Sequence, residues 1–129
     1  MNKFIKWFGM FANVFPWRWA IAYGKAQARK IVREEGDSLQ DEGVEFIKDR
    51  GPSGVDDAFD KSQARLIAAV NRIKLLPGFA KTIINDIVRD EGDRWQAKAK
   101  LAVLDQGVGA FNRVVDQAQD KLIARIDEL

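Results

Sequence analysis

The chain contains no cysteine and no histidine. The first absence excludes a disulfide framework, thiol chemistry and thiolate metal sites. The second removes the side chain that most often acts as a general base or a neutral metal ligand. Hydroxyl groups are scarce as well: Ser38, Ser53, Ser62 and Thr82 are the complete set of aliphatic alcohols. Three prolines and ten glycines in 129 residues are too few for a fibrous or linker-like chain. A membrane span needs about 20 mostly apolar residues. The best stretch, 7–23, is interrupted by Asn13, Pro16 and Arg18. Most catalytic and metal-binding designs therefore lack their parts, and no catalytic residue, cofactor or metal site is expected.

What is present divides unevenly. Apolar residues make up 47% and charged residues 31%, which suits one packed domain rather than a disordered chain. Residues 1–30 carry Lys3, Lys6, Arg18, Lys25, Arg29 and Lys30 and no acidic residue. Residues 31–129 carry 15 basic against 19 acidic side chains. Of the 13 aromatic residues, eight fall within the first 23 positions. A basic, aromatic N-terminal segment is thus joined to a mildly acidic body.

The body is a duplication. Shifting the sequence by 56 positions aligns 31–73 with 87–129 without a gap, with 14 of 43 pairs identical. The clearest match sets Ile31-Val32-Arg33-Glu34-Glu35-Gly36-Asp37 against Ile87-Val88-Arg89-Asp90-Glu91-Gly92-Asp93. A repeat of this size is one supersecondary unit that buries its apolar face against its copy. Apolar spacing in each unit is helical rather than alternating. Val55, Phe59, Leu66, Val70 and Ile73 mark the second helix of the first unit, and Phe111, Val115, Leu122, Ile126 and Leu129 that of the second. Ile31, Leu39, Ile83, Ile87 and Trp95 mark the first helices, and the expected core comprises Ile31, Leu39, Phe59, Leu66, Val70, Ile87, Trp95, Phe111, Val115, Leu122 and Ile126. Gly51 and Gly107 suit the left-handed residue that ends a helix. Ser53 followed by Asp56 reads as a capping box. Leu76-Pro77-Gly78 reads as the turn between units. The expected fold is all-α: duplicated helix-turn-helix units forming a bundle or elongated hairpins, with an N-terminal amphipathic aromatic helix. The divisions are an anchoring segment over 1–23, a first hairpin over 24–76 and a second over 77–129.

The shared Glu-Gly-Asp motif has two readings. Asp37 with Gln40, and Asp93 with Gln96, have the spacing of a helix restart. Alternatively a long helix continues through Gly36 and Gly92, at ~1 kcal/mol each, because another helix passes close by. Glu35, Asp37, Glu91 and Asp93 together would form a paired acidic site for a divalent cation or acid–base chemistry. No calcium-loop spacing supports this, and the Glu-x-x-His of carboxylate-bridged metal bundles is impossible without histidine.

The N-terminal segment carries the strongest functional signal. Phe4, Trp7, Phe8, Phe11 and Phe15 fall on one helical face, with Lys3 and Lys6 at other angles. Pro16 is expected to end or kink this helix. Trp17, Arg18, Trp19 and Tyr23 follow. Aromatic rings and cations without acids are what an interfacial helix uses, with rings at headgroup depth and cations on phosphates. Ala20, Gly24 and Ala28 form a small-residue face suited to a tight helix crossing. A cleaved signal peptide is not expected, because the apolar stretch is aromatic and Lys25 and Arg29 follow the nearest cleavage pattern. The functional expectation is a non-enzymatic structural or accessory protein of a larger assembly, attached by residues 1–23 to a membrane surface or an apolar partner groove, with self-association. A small helical enzyme or cation-binding protein using the duplicated acids is the alternative from another class. A nucleic-acid-associated virion or packaging protein is a third, disfavoured because the acidic body would repel a polyanion.

Overall fold

The computed structural model describes the backbone of residues 2–129 and the side chains of residues 18–129. Four helices follow one another: α1 (Asn2–Arg50), α2 (Ser53–Asn71), α3 (Gly78–Gln106) and α4 (Gly109–Asp127). They form an antiparallel four-helix bundle in which α1 packs on α2 and α4, and α3 packs on α4 and α2.

The 56-residue offset reproduces the helix boundaries. Arg50 maps to Gln106, Ser53 to Gly109, and Asn71 to Asp127, so α1 and α3 end, and α2 and α4 begin and end, at equivalent places. Gly51 (φ 69°) and Gly107 (φ 85°) supply the left-handed residue at the two hairpin turns. Their N–H groups donate to the carbonyls of Ile47 and Val103, at 2.8 and 2.9 Å. The equivalence reaches further back than the sequence match. Lys25 donates to the carbonyl of Asp127 at 2.7 Å, and its counterpart Lys81 donates to that of Asn71 at 3.0 Å. Each hairpin thus places a lysine on the negative end of the other hairpin's second helix.

Several local expectations change. α1 and α3 run unbroken through Gly36 and Gly92, so Asp37 and Asp93 cap nothing and lie exposed in mid-helix. Pro16 lies within the bounds of α1 and does not terminate it; a missing N–H removes a single rung from a long ladder. The capping box does not form. Ser53 Oγ donates backwards to the Arg50 carbonyl at 2.9 Å, and Asp56 is instead drawn to α3. The turn between hairpins occupies residues 72–77, with Pro77 extended (ψ 150°) ahead of α3.

The expected core is largely buried: Leu39, Phe59, Leu66, Val70, Ile87, Phe111, Val115, Leu122 and Ile126. Ile31 and Trp95 of that core are only half-buried; of the other helix-face residues, Ile83 and Leu129 lie exposed near the helix ends, where fewer neighbours can cover them. The core forms two clusters. One joins Val32, Val70, Ile84 and Ile126 near the α2–α3 connection; the other joins Leu39, Val55, Phe59 and Phe111 near the hairpin turns.

The two hairpins are not interchangeable. Phe111 of α4 is fully buried, and its ring occupies the space that a side chain on Gly43 of α1 would need. It also meets Phe59 edge-on, with ring centroids 6.0 Å apart. The offset replaces Phe111 by Val55 and Gly43 by Ala99, both fully buried. A large-over-small pair on one side therefore matches a medium-over-medium pair on the other. Pairing the first hairpin with itself would set valine over glycine twice and leave voids. Pairing the second with itself would press phenylalanine onto alanine twice.

Phe111→Val alone should cost about 2–4 kcal/mol by opening a cavity, and Gly43→Ala alone about 1–3 kcal/mol by overpacking. The double variant recreates the Val55/Ala99 solution. Urea unfolding should show it more stable than the summed losses by at least ~1 kcal/mol; strict additivity would refute the size match.

Charge adds to this asymmetry. Asp56 of α2 accepts from Gln96 Nε2 at 2.9 Å and from Lys100 Nζ at 2.8 Å, both on α3. Lys100 and then Gln96 hold its carboxyl below the ordinary aspartate value of 3.8. A carboxyl with a depressed folded pKa stabilises above its unfolded pKa, and that contribution is lost as pH falls through the folded value. The stability gap between the wild type and Asp56→Asn should be constant near neutrality and close as acid titrates Asp56. Urea midpoints measured across pH 2–7 would test it, and a pH-independent gap would refute it.

Candidate functional site

Two places combine polar chemistry with defined geometry: the centre of the bundle and the outer face where α1 meets the end of α2.

At the centre, a cavity of about 60 Å³ separates the two core clusters. Its lining is made entirely of residues related in pairs by the 56-residue offset, including Glu35 with Glu91, Gly36 with Gly92, Gln63 with Gln119 and Leu39 with Trp95. The cavity therefore lies on the internal two-fold relation. The recurrence of glycine at positions 36 and 92 has a packing cause. A Cβ on Gly36 would stand 2.6 Å from Gln119 Oε1 of α4, and one on Gly92 would stand 3.0 Å from Gln63 Oε1 of α2. Each glycine is a notch for the other hairpin's glutamine, which is the close-crossing reading of the motif.

Both central carboxylates are neutralised from within their own hairpins. Glu91 is 2% exposed and Glu35 is 14% exposed. Glu91 accepts from Arg125 Nη1 at 2.9 Å and from Trp95 Nε1, one turn along α3, at 2.9 Å; Arg94 lies 3.5 Å away. Glu35 accepts from both Nε and Nη2 of Arg65, at 2.9 and 2.5 Å. Each arginine holds a second acid as well: Asp90 for Arg125 and Glu42 for Arg65. The hydrogen bonds it donates to Glu35 raise the pKa of Arg65, and the one it donates to Glu91 raises that of Arg125, so both guanidinium groups stay charged. The arginines are not equivalent in the repeat. Lys121 stands at the position matching Arg65, and Ala69 at that matching Arg125.

This geometry bears on the paired acidic site. Glu35 and Glu91 reach the same cavity, whereas Asp37 and Asp93, two residues on, turn to solvent. Among the described residues, no group of three or more acidic side chains could hold a metal ion. The central cavity is also far smaller than the roughly 300–1,000 Å³ of ordinary small-molecule sites.

The outer face lies near the N-terminal expectation. Phe4, Trp7, Phe8, Phe11, Phe15, Trp17, Lys3 and Lys6 have side chains outside the described residues. Arg18 and Trp19 are described, and both are exposed. Trp19 is 56% and Tyr23 39% exposed, and their rings stack at 5.8 Å between centroids. Stepping by four from Phe15 reaches Trp19 and Tyr23, the route of a single helical face. Gly24 and Ala28 face the other way. Both are buried, and Leu76 of the α2–α3 connection fills the space beside Gly24. The small-residue face therefore serves a tight crossing inside the bundle. A groove of about 300 Å³ runs between α1 and the end of α2, lined by Tyr23, Gln27, Ile31, Ala69, Arg72, Ile73 and Lys74. The groove was not legible in sequence, because Arg72 and Lys74 are about 50 residues from Tyr23 and belong to no motif. Among the described residues, no helix is long and apolar enough to cross a membrane.

No protein-family model, no curated protein and no solved structure matches the chain.

The buried pairs make a stability prediction. Glu91→Ala strands Arg125 and the indole N–H of Trp95 and should cost about 2–3 kcal/mol, below the full cost of a broken buried pair because Arg125 reaches solvent. Glu35→Ala should cost about half of that, since its carboxylate is less buried. Denaturant unfolding of both variants tests the order, and a neutral Glu91→Ala would refute the assignment.

Proposed function

We propose that this chain is a non-enzymatic attachment protein, a duplicated helical body held at an anionic membrane surface by the aromatic, basic first part of α1. The observation that carries the reading is the exposed, stacked pair Trp19 and Tyr23. By helical spacing they follow Phe15 at steps of four, and the body leaves Trp19 more than half exposed and Tyr23 partly so. Two further features support it. α1 has 49 residues and its copy α3 has 29, so the aromatic stretch has no counterpart in the duplication. The same stretch carries Lys3, Lys6 and Arg18 and no acid, and a juxtamembrane cation contributes up to about 1 kcal/mol on an anionic leaflet. In this reading the central carboxylate pairs stabilise the body and take no part in chemistry. An apolar groove on a larger assembly, or a second copy of the chain, is the competing target for the same face.

Flotation with phosphatidylcholine vesicles, with and without phosphatidylglycerol, tests the proposal. Wild-type protein should float with the anionic vesicles. Replacing Trp19 and Tyr23 by Asp should lower the affinity at least tenfold, since partial burial of each ring is worth more than ~1 kcal/mol. Deleting residues 2–16 should abolish flotation and leave cooperative unfolding of the body intact. A wild type that floats with neither vesicle would refute membrane attachment, and a deletion that destroys cooperative unfolding would make the segment part of the core.

A further inference from the structure

The connection between α2 and α3 contains two adjacent leucines with opposite fates. Leu76 is buried and fills the space beside Gly24 of α1. Leu75 is 60% exposed and has φ 69°, the only positive φ outside glycine among the described residues. Glycine or asparagine adopts that backbone more easily than leucine. Neither backbone preference nor internal packing therefore accounts for leucine at position 75.

Its surroundings supply a reason. Lys74 and Arg72 precede it, both exposed, and both line the groove shared with Tyr23 of α1. Trp19 stacks on Tyr23 one turn along. An apolar tip, two cations and two aromatic rings thus lie on one end of the bundle, beside the segment already assigned to attachment. The negative end of the α2 dipole accounts for cations here, but it does not account for an exposed leucine. A bilayer interface accounts for all of them: apolar side chains enter the acyl boundary, Trp and Tyr rings sit at headgroup depth, and Arg and Lys meet phosphate.

We infer that the α2–α3 connection is a second contact with the same anionic lipid surface, with Leu75 entering the bilayer and Arg72 and Lys74 meeting headgroup phosphates. This rests on the reading of the α1 aromatic face as a membrane anchor. The two contacts would hold the bundle at a defined tilt instead of letting it swing from a single helix.

The absence of cysteine allows a direct test on the full chain. Leu75→Cys carrying an environment-sensitive fluorophore should show a blue-shifted, brighter emission with phosphatidylglycerol-containing vesicles. The same label on Leu101→Cys, exposed on α3 towards the opposite end of the bundle, should show no change. Leu75→Asn provides an independent readout with opposed signs. Its urea midpoint should rise as the backbone is relieved, while its vesicle affinity falls roughly three- to tenfold with loss of the inserted side chain. Arg72→Gln with Lys74→Gln should weaken binding to anionic vesicles only, and less so at high salt. If the wild type floats but the label at position 75 stays in water and Leu75→Asn binds fully, the second contact is wrong and the α1 anchor stands. If the wild type floats with neither vesicle, both proposals fall together.

Discussion

Two carboxylates in the middle of an apolar bundle set the terms for the rest of the body. Glu35 and Glu91 stand at equivalent places on the two long helices, facing one central cavity. A buried charge is tolerated only when it is paired and hydrogen-bonded. Each hairpin meets that demand internally: Arg65 of α2 holds Glu35, and Arg125 of α4 holds Glu91. The polar layer divides the core into two apolar clusters, and the glutamines and glycines of the same layer bring the hairpins together closely. Each hairpin thus brings its own neutralised central charge, and at this layer the contact between hairpins is left to shape.

Shape is where the two copies have diverged. The motif around Gly36 and Gly92 is nearly unchanged, because both glycines receive a glutamine from the opposite hairpin. Elsewhere the copies have traded volume. Phe111 over Gly43 balances Val55 over Ala99, and Lys100 reaches Asp56 where the first hairpin has Val44 in the position of the lysine. A symmetric pair of hairpins could associate with like copies as readily as with each other. These differences favour the pairing within one chain and penalise the like pairings with voids, overlap or a lost ion pair. The tether between hairpins is then reinforced by a surface that recognises its own partner.

The functional proposals place activity outside the duplicated part. The body is mildly acidic, its two central carboxylates are paired with arginines, and its central cavity is small. Most aromatic residues, and six cations without an acid among them, lie instead in the first 30 residues of the long first helix, and Arg72 and Lys74 lie on the connection that packs beside it. That division suits an attachment protein: a stiff body set by packing, and one end whose rings and cations are left for another surface. Because α1 belongs to both parts, orientation at the surface would pass directly into the bundle without an intervening linker.

The periodicity and the 56-residue offset were enough to establish an all-α protein with duplicated hairpins, since both depend only on which positions are apolar and how they repeat. They also located most of the core and the two hairpin turns at Gly51 and Gly107. Other features needed the assembled bundle. Whether Gly36 and Gly92 interrupt a helix or admit a neighbour depends on the glutamines of the opposite hairpin, which local spacing does not contain. Ser53 and Asp56 have the letters of a capping box, yet Asp56 is taken by Gln96 and Lys100, and a charged tertiary partner outweighs a cap. The arginines on Glu35 and Glu91 come from non-equivalent repeat positions, so the duplication itself conceals them. Leu75 carries no motif at all; only the backbone conformation and the burial of Leu76 beside it distinguish an exposed leucine from a core one. Sequence determined the pattern of faces, because that pattern is local, and tertiary structure decided which side chains meet across them, because those contacts join residues distant along the chain.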